Sequence, residues 1–254
     1  MSIVAEAPSF LQVFSNGCVK RFSPKIALAS LESSNGYISK DVIIDPLKPI
    51  TGRMFLPNTP LIMDTRRHNK LPMVVYFHGG GFCIGSTTWL SYHVFLGDLA
   101  SKVGAIVLAV DYRLAPENRL PIAYKDGYSS LEWLVKNQNL EPWLKQANLS
   151  RIFLSGDSTG GNIAHNVAIE IIKSKNDFIK EVEIRGLLLI HPFFGSEMRT
   201  PKEMINKEAI EVRMNDMFWK LSIPEGFNRD YFGCNFEMVE LCKNEWGQFP
   251  NVPN

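Results

Sequence analysis

Four short runs of apolar residues follow one another in the middle of the chain, and a segment with a helical pattern separates each run from the next. The apolar runs are Met73–Phe77, Ala105–Val110, Ile152–Leu154 and Leu187–Ile190. The helical segments are Trp89–Lys102, Ile122–Asn137 and Gly160–Lys173. Runs without polar alternation are typical of parallel strands that helices cover on both faces. The alternation predicts an α/β fold with a doubly wound, mostly parallel sheet, in which the loops after the strands meet at one edge.

The composition is that of an ordinary globular protein. The 254 residues include 27 Lys+Arg and 26 Asp+Glu, so the formal net charge is +1, and 45% of the residues are hydrophobic. A chain of this length can bury a core without disulfides or a metal. Because the net charge is near zero, no long-range field attracts nucleic acid or an anionic membrane. We expect a single domain over residues 1–254 that binds neither partner.

The cysteines and the N-terminus point to a cytoplasmic protein. Cys18, Cys83, Cys234 and Cys242 are scattered and form no C-x-x-C pair, so neither a disulfide framework nor a zinc site is expected. The first residues lack the basic and apolar regions of a signal peptide, and no run is long enough to span a bilayer.

Outside the apolar runs the chain is less regular. Short β-like runs occur at Phe10–Phe14, Val19–Phe22, Val42–Ile44 and Gly52–Leu56. The polar stretch Asp64–Lys70 predicts an exposed loop. After Pro192 only Asn215–Leu221 has a helical pattern. We predict that the N-terminal segment and about residues 196–232 form a small cap rather than a second domain.

Residues 156–160, with the sequence GDSTG, directly follow the third apolar run and precede a helical segment. In this G-x-S-x-G pattern Gly156 and Gly160 permit a sharp strand-to-helix turn that projects the serine from a strained backbone. The helix N-terminus favours negative charge that develops beside it. The pattern predicts a nucleophile elbow at Ser158, and the alternative is a glycine-rich turn with a capping serine. We expect Asp157 to brace the turn.

A glycine triplet follows the first apolar run, in the sequence HGGGF at residues 78–82. Glycines allow backbone N–H groups to approach a substrate oxygen without interference from a Cβ atom. Together with the N–H of Thr159, such groups would form an oxyanion hole for a tetrahedral intermediate. The triplet lacks the spacing of a phosphate-binding P-loop or a dinucleotide fingerprint.

Two more segments, DYRLAPE at 111–117 and HPFFG at 191–195, complete a set of four motifs. The set resembles the plant-type carboxylesterases of the hormone-sensitive-lipase-like branch of the α/β-hydrolase family, from about residue 8 to the C-terminus. The resemblance implies an α/β-hydrolase fold. It also implies a serine hydrolase that acts on a small carboxylic ester and needs no metal or organic cofactor.

The resemblance also implies roles for individual residues. Ser158 corresponds to the nucleophile, and Gly79, Gly80 and Thr159 correspond to the oxyanion-hole donors. His78 corresponds to a histidine that organises the loop and is not the catalytic base. The supporting motif residues are His78, Gly81, Asp157, Gly156 and Gly160.

The catalytic histidine and its acid have no counterpart in the sequence. In this fold the nucleophile, the acid and the histidine follow one another in that order along the chain. Two histidines follow Ser158: His165 lies in the adjacent helical segment, and His191 belongs to the HPFFG segment. The family carries the acid and the histidine after two further strands, whereas the sequence stops at Gln248–Asn254. We therefore expect a domain that is incomplete at its C-terminus and weakly active.

A missing pair of strands has a consequence for association. The run Leu187–Ile190 would lie at the sheet edge although it is apolar on both faces. Each uncovered large side chain costs roughly 1.5–3 kcal/mol. Because unpaired edge groups are a template for another strand, we expect self-association through this edge.

Two other functions stay open. The gibberellin receptors of this branch keep the serine elbow, lack the catalytic histidine and use the pocket for a hormone. A non-catalytic small-molecule binding protein is therefore one alternative. The isoflavanone dehydratases of the branch perform an elimination, and a dehydratase is the other.

Several other polar residues are expected to be structural. Arg113 and Glu117 are expected to form an ion pair or to brace a loop. His93 and His165 lie in helical segments, and Cys83 is expected to fill a small apolar space.

Overall fold

The computed structural model describes residues 1–33, 35–58, 70–174, 182–241, 245 and 247. The strands are β1 (Ile3–Ala7), β2 (Leu11–Phe14), β3 (Val19–Arg21), β4 (Tyr37–Asp45), β5 (Ile50–Pro57), β6 (Leu71–Phe77), β7 (Ile106–Asp111), β8 (Ala147–Asp157) and β9 (Ile184–Ile190). The helices are α1 (Leu90–Val103), α2 (Ile122–Asn137), α3 (Thr159–Lys173), α4 (Pro201–Ile205) and α5 (Ile210–Ser222). Every strand and helix predicted from the sequence is confirmed, whereas β1 and α4 were not expected.

The main sheet has six strands in the order β4-β5-β7-β6-β8-β9. The strands β7, β6, β8 and β9 are parallel, and β4 and β5 join them in antiparallel pairs. Phe77 pairs with both Val110 and Gly156, so β6, β7 and β8 end at the same edge. This arrangement confirms the doubly wound, mostly parallel sheet and places the loops after these strands together.

Helices cover both faces of the sheet. Successive side chains of each strand point to opposite sides, so both faces carry apolar side chains that need cover. On one face, Val75 and Phe77 of β6 belong to a core that includes Ile163 of α3. On the other face, Val74 and Tyr76 pack in a second cluster with side chains of α1. The two layers of helices predicted from the apolar runs are confirmed.

Both segments predicted to form a cap contact the glycine-rich loop after β6. In the small β1-β2-β3 sheet, Arg21 donates a hydrogen bond of 2.7 Å to the carbonyl of Cys83. From α5, Trp219 packs on Phe82 with ring centroids 5.6 Å apart and stacks on Phe193 at 4.4 Å. These contacts agree with a cap, and the division of the chain into core and cap stays a prediction.

Strand β9 is the last strand on its side of the sheet among the described residues. Leu187 is buried, whereas Leu188 is 53% exposed on the other face. The predicted edge position of this run is thus confirmed within the described part of the chain. Most of the predicted loop Asp64–Lys70 and the tail Gln248–Asn254 lie outside the described residues.

None of the helices in the described ranges is long and apolar enough to cross a lipid bilayer.

Candidate functional site

Ser158 lies at the junction of β8 and α3, where the backbone turns sharply. Its φ of 51° and ψ of −117° fall in a region that non-glycine residues rarely adopt. The turn is tight, because a Cβ atom on Gly160 would lie 1.9 Å from the carbonyl oxygen of Phe77. A Cβ atom on Gly156 would lie 2.3 Å from the carbonyl carbon of Gly160. The two glycines therefore allow the turn that presents Ser158 at the edge of the sheet.

The backbone of Ser158 is tied to the end of β9. Its N–H donates to the carbonyl of Ile190 at 2.9 Å, and its carbonyl accepts from the N–H of Phe193 at 2.9 Å. Asn162 of α3 holds the same segment, since its side-chain amide donates to the carbonyl of Phe193 at 2.9 Å. The strained backbone at Ser158 is thus supported from both neighbouring elements.

The glycine triplet forms a turn next to this elbow. Gly80 and Gly81 have φ values of 122° and 62°, which favour glycine. A Cβ atom on Gly80 would lie 2.2 Å from the carbonyl oxygen of Ile84, and one on Gly81 would lie 2.2 Å from the ring of Phe218. The loop therefore requires glycine at both positions.

The structure corrects the donor role expected for Gly79. The N–H of Gly79 donates to Oδ1 of Asp157 and to the hydroxyl of Tyr92, both at 2.9 Å. This N–H therefore has partners within the protein and is not available to a substrate oxygen. In contrast, no described residue accepts a hydrogen bond from the N–H groups of Gly80 and Gly81.

Asp157 connects the elbow to the glycine-rich loop. Besides the N–H of Gly79, its carboxylate accepts hydrogen bonds from the hydroxyls of Tyr76 at 2.8 Å and Tyr92 at 3.0 Å. Burial and the adjacent carboxylate raise the pKa of both phenols, so both remain donors. Motif analysis did not identify Tyr76 or Tyr92, because Tyr76 reaches Asp157 through the pairing of β6 with β8 and Tyr92 through the packing of α1 on the sheet.

His78 is buried within the loop, and none of its contacts among the described residues is with Ser158. Its ring stacks on Tyr112 with centroids 4.4 Å apart, and its Nδ1 lies 2.8 Å from the carbonyl oxygen of Gly79. Its Nε2 is 3.8 Å from a carboxylate oxygen of Asp111. These contacts hold the ring within the loop through Nδ1 and through its stacking on Tyr112.

Of the two roles expected for Arg113 and Glu117, the structure shows the bracing of loops and not an ion pair between these two residues. Arg113 forms a salt bridge of 2.7 Å with the fully buried Asp126 of α2. Glu117 pairs instead with Arg21 at 2.6 Å.

Cys83 is fully buried, and burial raises the pKa of its thiol to about 12. A thiol with such a pKa is protonated at neutral pH, and thiolate is the reactive form. The expectation that Cys83 fills an apolar space is therefore confirmed.

The remaining described histidines form no hydrogen bond with the side chain of Ser158 within the described part of the chain. The Nδ1 of His93 lies 3.0 Å from Nη1 of Arg53, and His165 packs edge-on against Phe194 with centroids 5.2 Å apart. His191 is exposed at the end of β9, with a φ of 36°. Among the described residues, no hydrogen bond joins a histidine to the side chain of Ser158.

Acid is expected to destabilise the fold through His165. Burial lowers the pKa of this imidazole from 6.5 to about 4, whereas the unfolded chain takes up the proton near 6.5. The free energy of unfolding should fall as the pH drops between these values, by roughly 1–3 kcal/mol from this group. Urea unfolding across this range measures the loss. A His165→Gln variant should show a smaller loss, and an unchanged dependence on pH in that variant would contradict the assignment.

The comparison with known families decides the identity of the fold. A family profile described as the alpha/beta hydrolase fold matches residues 74–252. The chain belongs to the α/β-hydrolase family.

Known proteins place this α/β hydrolase among the plant carboxylesterases. It is 40% identical over 237 residues to probable carboxylesterase 6 of Arabidopsis thaliana, a match that covers 91% of this chain and 69% of the relative. It is 37% identical to carboxylesterase 20 of the same plant, over 91% of this chain and 72% of the relative. These relatives confirm the resemblance, and by family the chain is a carboxylic-ester hydrolase.

Solved structures agree with the fold. Carboxyl esterase 2 of Tuber melanosporum matches 90% of this chain and 70% of its own with a TM-score of 0.67, and at 20% identity the match shows the fold alone. An esterase of Pyrobaculum calidifontis matches 81% of this α/β hydrolase and 63% of its own chain, with a TM-score of 0.64 and 27% identity.

Proposed function

We propose that this α/β hydrolase performs acyl transfer at Ser158 on small carboxylic esters. The observation that supports the proposal is the joint geometry of the elbow and the glycine-rich loop. Ser158 stands on a strained turn at the start of α3, and the N–H groups of Gly80 and Gly81, which have no acceptor among the described residues, lie in the adjoining loop.

The reaction has two steps at this serine. The Oγ atom of Ser158 bonds to the ester carbonyl carbon, its proton passes to a base, and the alcohol leaves. Water then cleaves the acyl-enzyme and restores the serine. The role of the protein is to hold the carbonyl where the developing oxyanion meets fixed donors.

We assign the oxyanion hole to Gly80, Gly81 and Thr159. Thr159 is the first residue of α3, and an N–H in the first turn of a helix has no partner within that helix. The bonds of Gly79 to Asp157 and Tyr92 fix the loop on which the other two donors lie. Gly79 is therefore a positioning residue in this proposal.

The apolar surroundings favour a small substrate. Phe82, Phe193 and Trp219 form a continuous aromatic cluster beside the loop. The contacts of Arg21 and Trp219 support a cap over this side of the sheet.

A cytoplasmic location also stays a prediction, and one relative, tuliposide A-converting enzyme 2 of Tulipa gesneriana, is named as chloroplastic.

Proton transfer is the weak part of this site. No described residue accepts the hydroxyl proton of Ser158, and only His165 and His191 follow it in the sequence. In a serine protease, loss of the histidine costs on the order of 10⁶ in kcat and leaves roughly 10³–10⁴ over water. We expect turnover near that residual value.

A second candidate is a binding protein that uses the same pocket without chemistry. Gibberellin receptor GID1C of Arabidopsis thaliana is 37% identical over 218 residues, which cover 82% of this chain and 60% of the receptor. The observation that favours it is that no described residue serves as the base for Ser158, although the serine turn and the glycine-rich loop are both formed.

Hydrolysis of a short-chain nitrophenyl ester by the purified chain tests the proposal. We expect slow release of nitrophenol, roughly 10³–10⁴ above the buffer rate, because the N–H donors act without an efficient base. Heat-unfolded protein is the control for hydrolysis by exposed side chains.

Two results would count against the proposal in different ways. Release at the buffer rate, together with saturable binding of a small carboxylate, would favour the binding protein. Rapid turnover that Ser158→Ala abolishes would show that a base serves Ser158 and would overturn the expectation of weak activity.

A further inference from the structure

The segment from Ala115 to Leu120 links the glycine-rich loop to the last turn of α5. At one end, the N–H of Ala115 donates to the carbonyl of Phe82 at 2.9 Å. At the other end, the N–H of Leu120 donates to the carbonyl of Ser222 at 2.8 Å. Residues 115–117 are the end of the DYRLAPE motif, to which the proposed reaction assigns no step. The motif therefore lies between the loop that carries the N–H donors and a helix of the proposed cap.

Arg119 is the side chain that completes this link. Its Nη1 donates to the carbonyl of Lys220 at 2.8 Å and to the carbonyl of Ile223 at 2.7 Å. The last carbonyls of a helix have no partner within that helix, and a cation at this end also interacts favourably with the helix dipole. Arg119 therefore holds the C-terminal end of α5 through hydrogen bonds and through its charge.

Helix α5 contacts the glycine-rich loop with two consecutive side chains that precede this end. A Cβ atom on Gly81 would lie 2.2 Å from Cγ of Phe218, so the phenyl ring lies directly on the backbone of Gly81. Trp219 packs on Phe82 with ring centroids 5.6 Å apart. All three aromatic side chains are buried. Because buried side chains are closely packed, a shift of the end of α5 would be transmitted to the loop.

We propose that Arg119 is a positioning residue for acyl transfer at Ser158. It holds α5 so that the ring of Phe218 keeps Gly81 at its φ of 62°, where the N–H of Gly81 has no acceptor among the described residues. Without Arg119, α5 and the loop become mobile together, and the donor spends less time where an oxyanion can meet it. This role rests on the proposed function, because Gly81 serves there as an oxyanion donor.

Phosphonate labelling of Ser158 measures the role of Arg119. In a nitrophenyl alkylphosphonate, Oγ of Ser158 bonds to phosphorus, nitrophenolate leaves, and added imidazole takes the serine proton. We expect Arg119→Met to lower the rate of this reaction by about tenfold, since a small misplacement of a fixed donor is costly. Arg119→Lys should lower the rate less, because both hydrogen bonds come from one nitrogen and the lysine ammonium can replace part of them.

Arg185→Met is the matched control for the loss of an arginine. Arg185 lies on β9 and also donates to a backbone carbonyl, that of Ser150 at 3.0 Å. We expect this variant to be labelled at the rate of the unaltered chain. Urea unfolding first shows which variants are folded, and Arg119→Lys carries the test if Arg119→Met is not.

Amide hydrogen exchange tests the link between Arg119 and the loop without any reaction. We expect Arg119→Met to exchange faster than the unaltered chain at residues 80–83 and at residues 218–223, and at the same rate in the second half of α2. Faster exchange at residues 218–223 alone would overturn the link.

The two measurements separate this proposal from the proposed function. An unchanged labelling rate in a folded Arg119→Met variant would overturn the positioning role, whatever the exchange rates are. If the unaltered chain forms no adduct, the proposed function fails and the positioning role fails with it. The exchange rates then still decide whether Arg119 holds the loop.

Discussion

A Gly160→Ala substitution is expected to lower the free energy of unfolding by about 3 kcal/mol or more, or to prevent folding. The added Cβ atom would lie 1.9 Å from the carbonyl oxygen of Phe77 and 2.8 Å from that of His78. Both atoms are backbone, so no side-chain rotation relieves the overlap. Strand β6 and helix α3 would have to move apart at the point where they hold the elbow. Urea unfolding of the purified variant measures the loss.

Gly161→Ala is the matched control, because Gly161 occupies the next position in the same helical turn. Its Cβ atom would lie 3.0 Å from Cβ of Pro192 and 3.1 Å from the carbonyl oxygen of Gly156, contacts that shifts of a few tenths of an ångström can relieve. Alanine also gains about 1 kcal/mol over glycine in a helix. We expect a change below about 1 kcal/mol. Equal losses in the two variants would show that the close approach of α3 to β6 is not what limits stability.

The main elements could be predicted from the sequence because buried parallel strands have a distinct pattern. The run Ile152–Leu154 lies in the centre of β8, and Ile122–Asn137 coincides with α2. Continuous apolar runs and the helical period both arise from burial on this sheet. Strand β1 was not recognised, because its five residues are mostly exposed and pair only with β2.

The direction of individual backbone groups could not be predicted from the motif. The triplet identifies three glycines, but the N–H that a substrate can reach depends on the φ values of Gly80 and Gly81. The resemblance indicated Gly79 as a donor, and its N–H is directed at Asp157 instead. The ion-pair partner of Arg113 could not be predicted for a similar reason, since Asp126 approaches only when α2 packs on the sheet.

The residues whose hydrogen bonds hold the elbow could not be identified from the sequence either. Tyr92 lies 66 positions before Ser158, and the pattern of α1 explains it as a helix residue without a role in the site. Asn162 is fully buried and holds the carbonyls of Phe193 and Gly233. Its position four residues after Ser158, on the first turn of the predicted helix, was the one available signal.

A reactive phosphonate is expected to bond covalently to Ser158 in the unaltered chain and to leave the Ser158→Ala variant unmodified. In a nitrophenyl alkylphosphonate, Oγ bonds to phosphorus, the bond from phosphorus to the nitrophenyl oxygen breaks, and nitrophenolate leaves. The serine proton needs an acceptor, and no described residue provides one. Added imidazole can take that proton, so the trapping rate should rise with imidazole concentration.

The reactivity of Ser158 is therefore tested most directly by mass spectrometry of the chain after phosphonate treatment, with and without imidazole. We expect one adduct per chain on the peptide that contains Ser158, formed faster with imidazole and absent from Ser158→Ala. The Ser196→Ala variant, which lacks a serine outside the site, should form the adduct at the same rate as the unaltered chain. A folded chain that forms no adduct at any imidazole concentration, or an adduct that persists in Ser158→Ala, would contradict the assignment of Ser158 as the nucleophile.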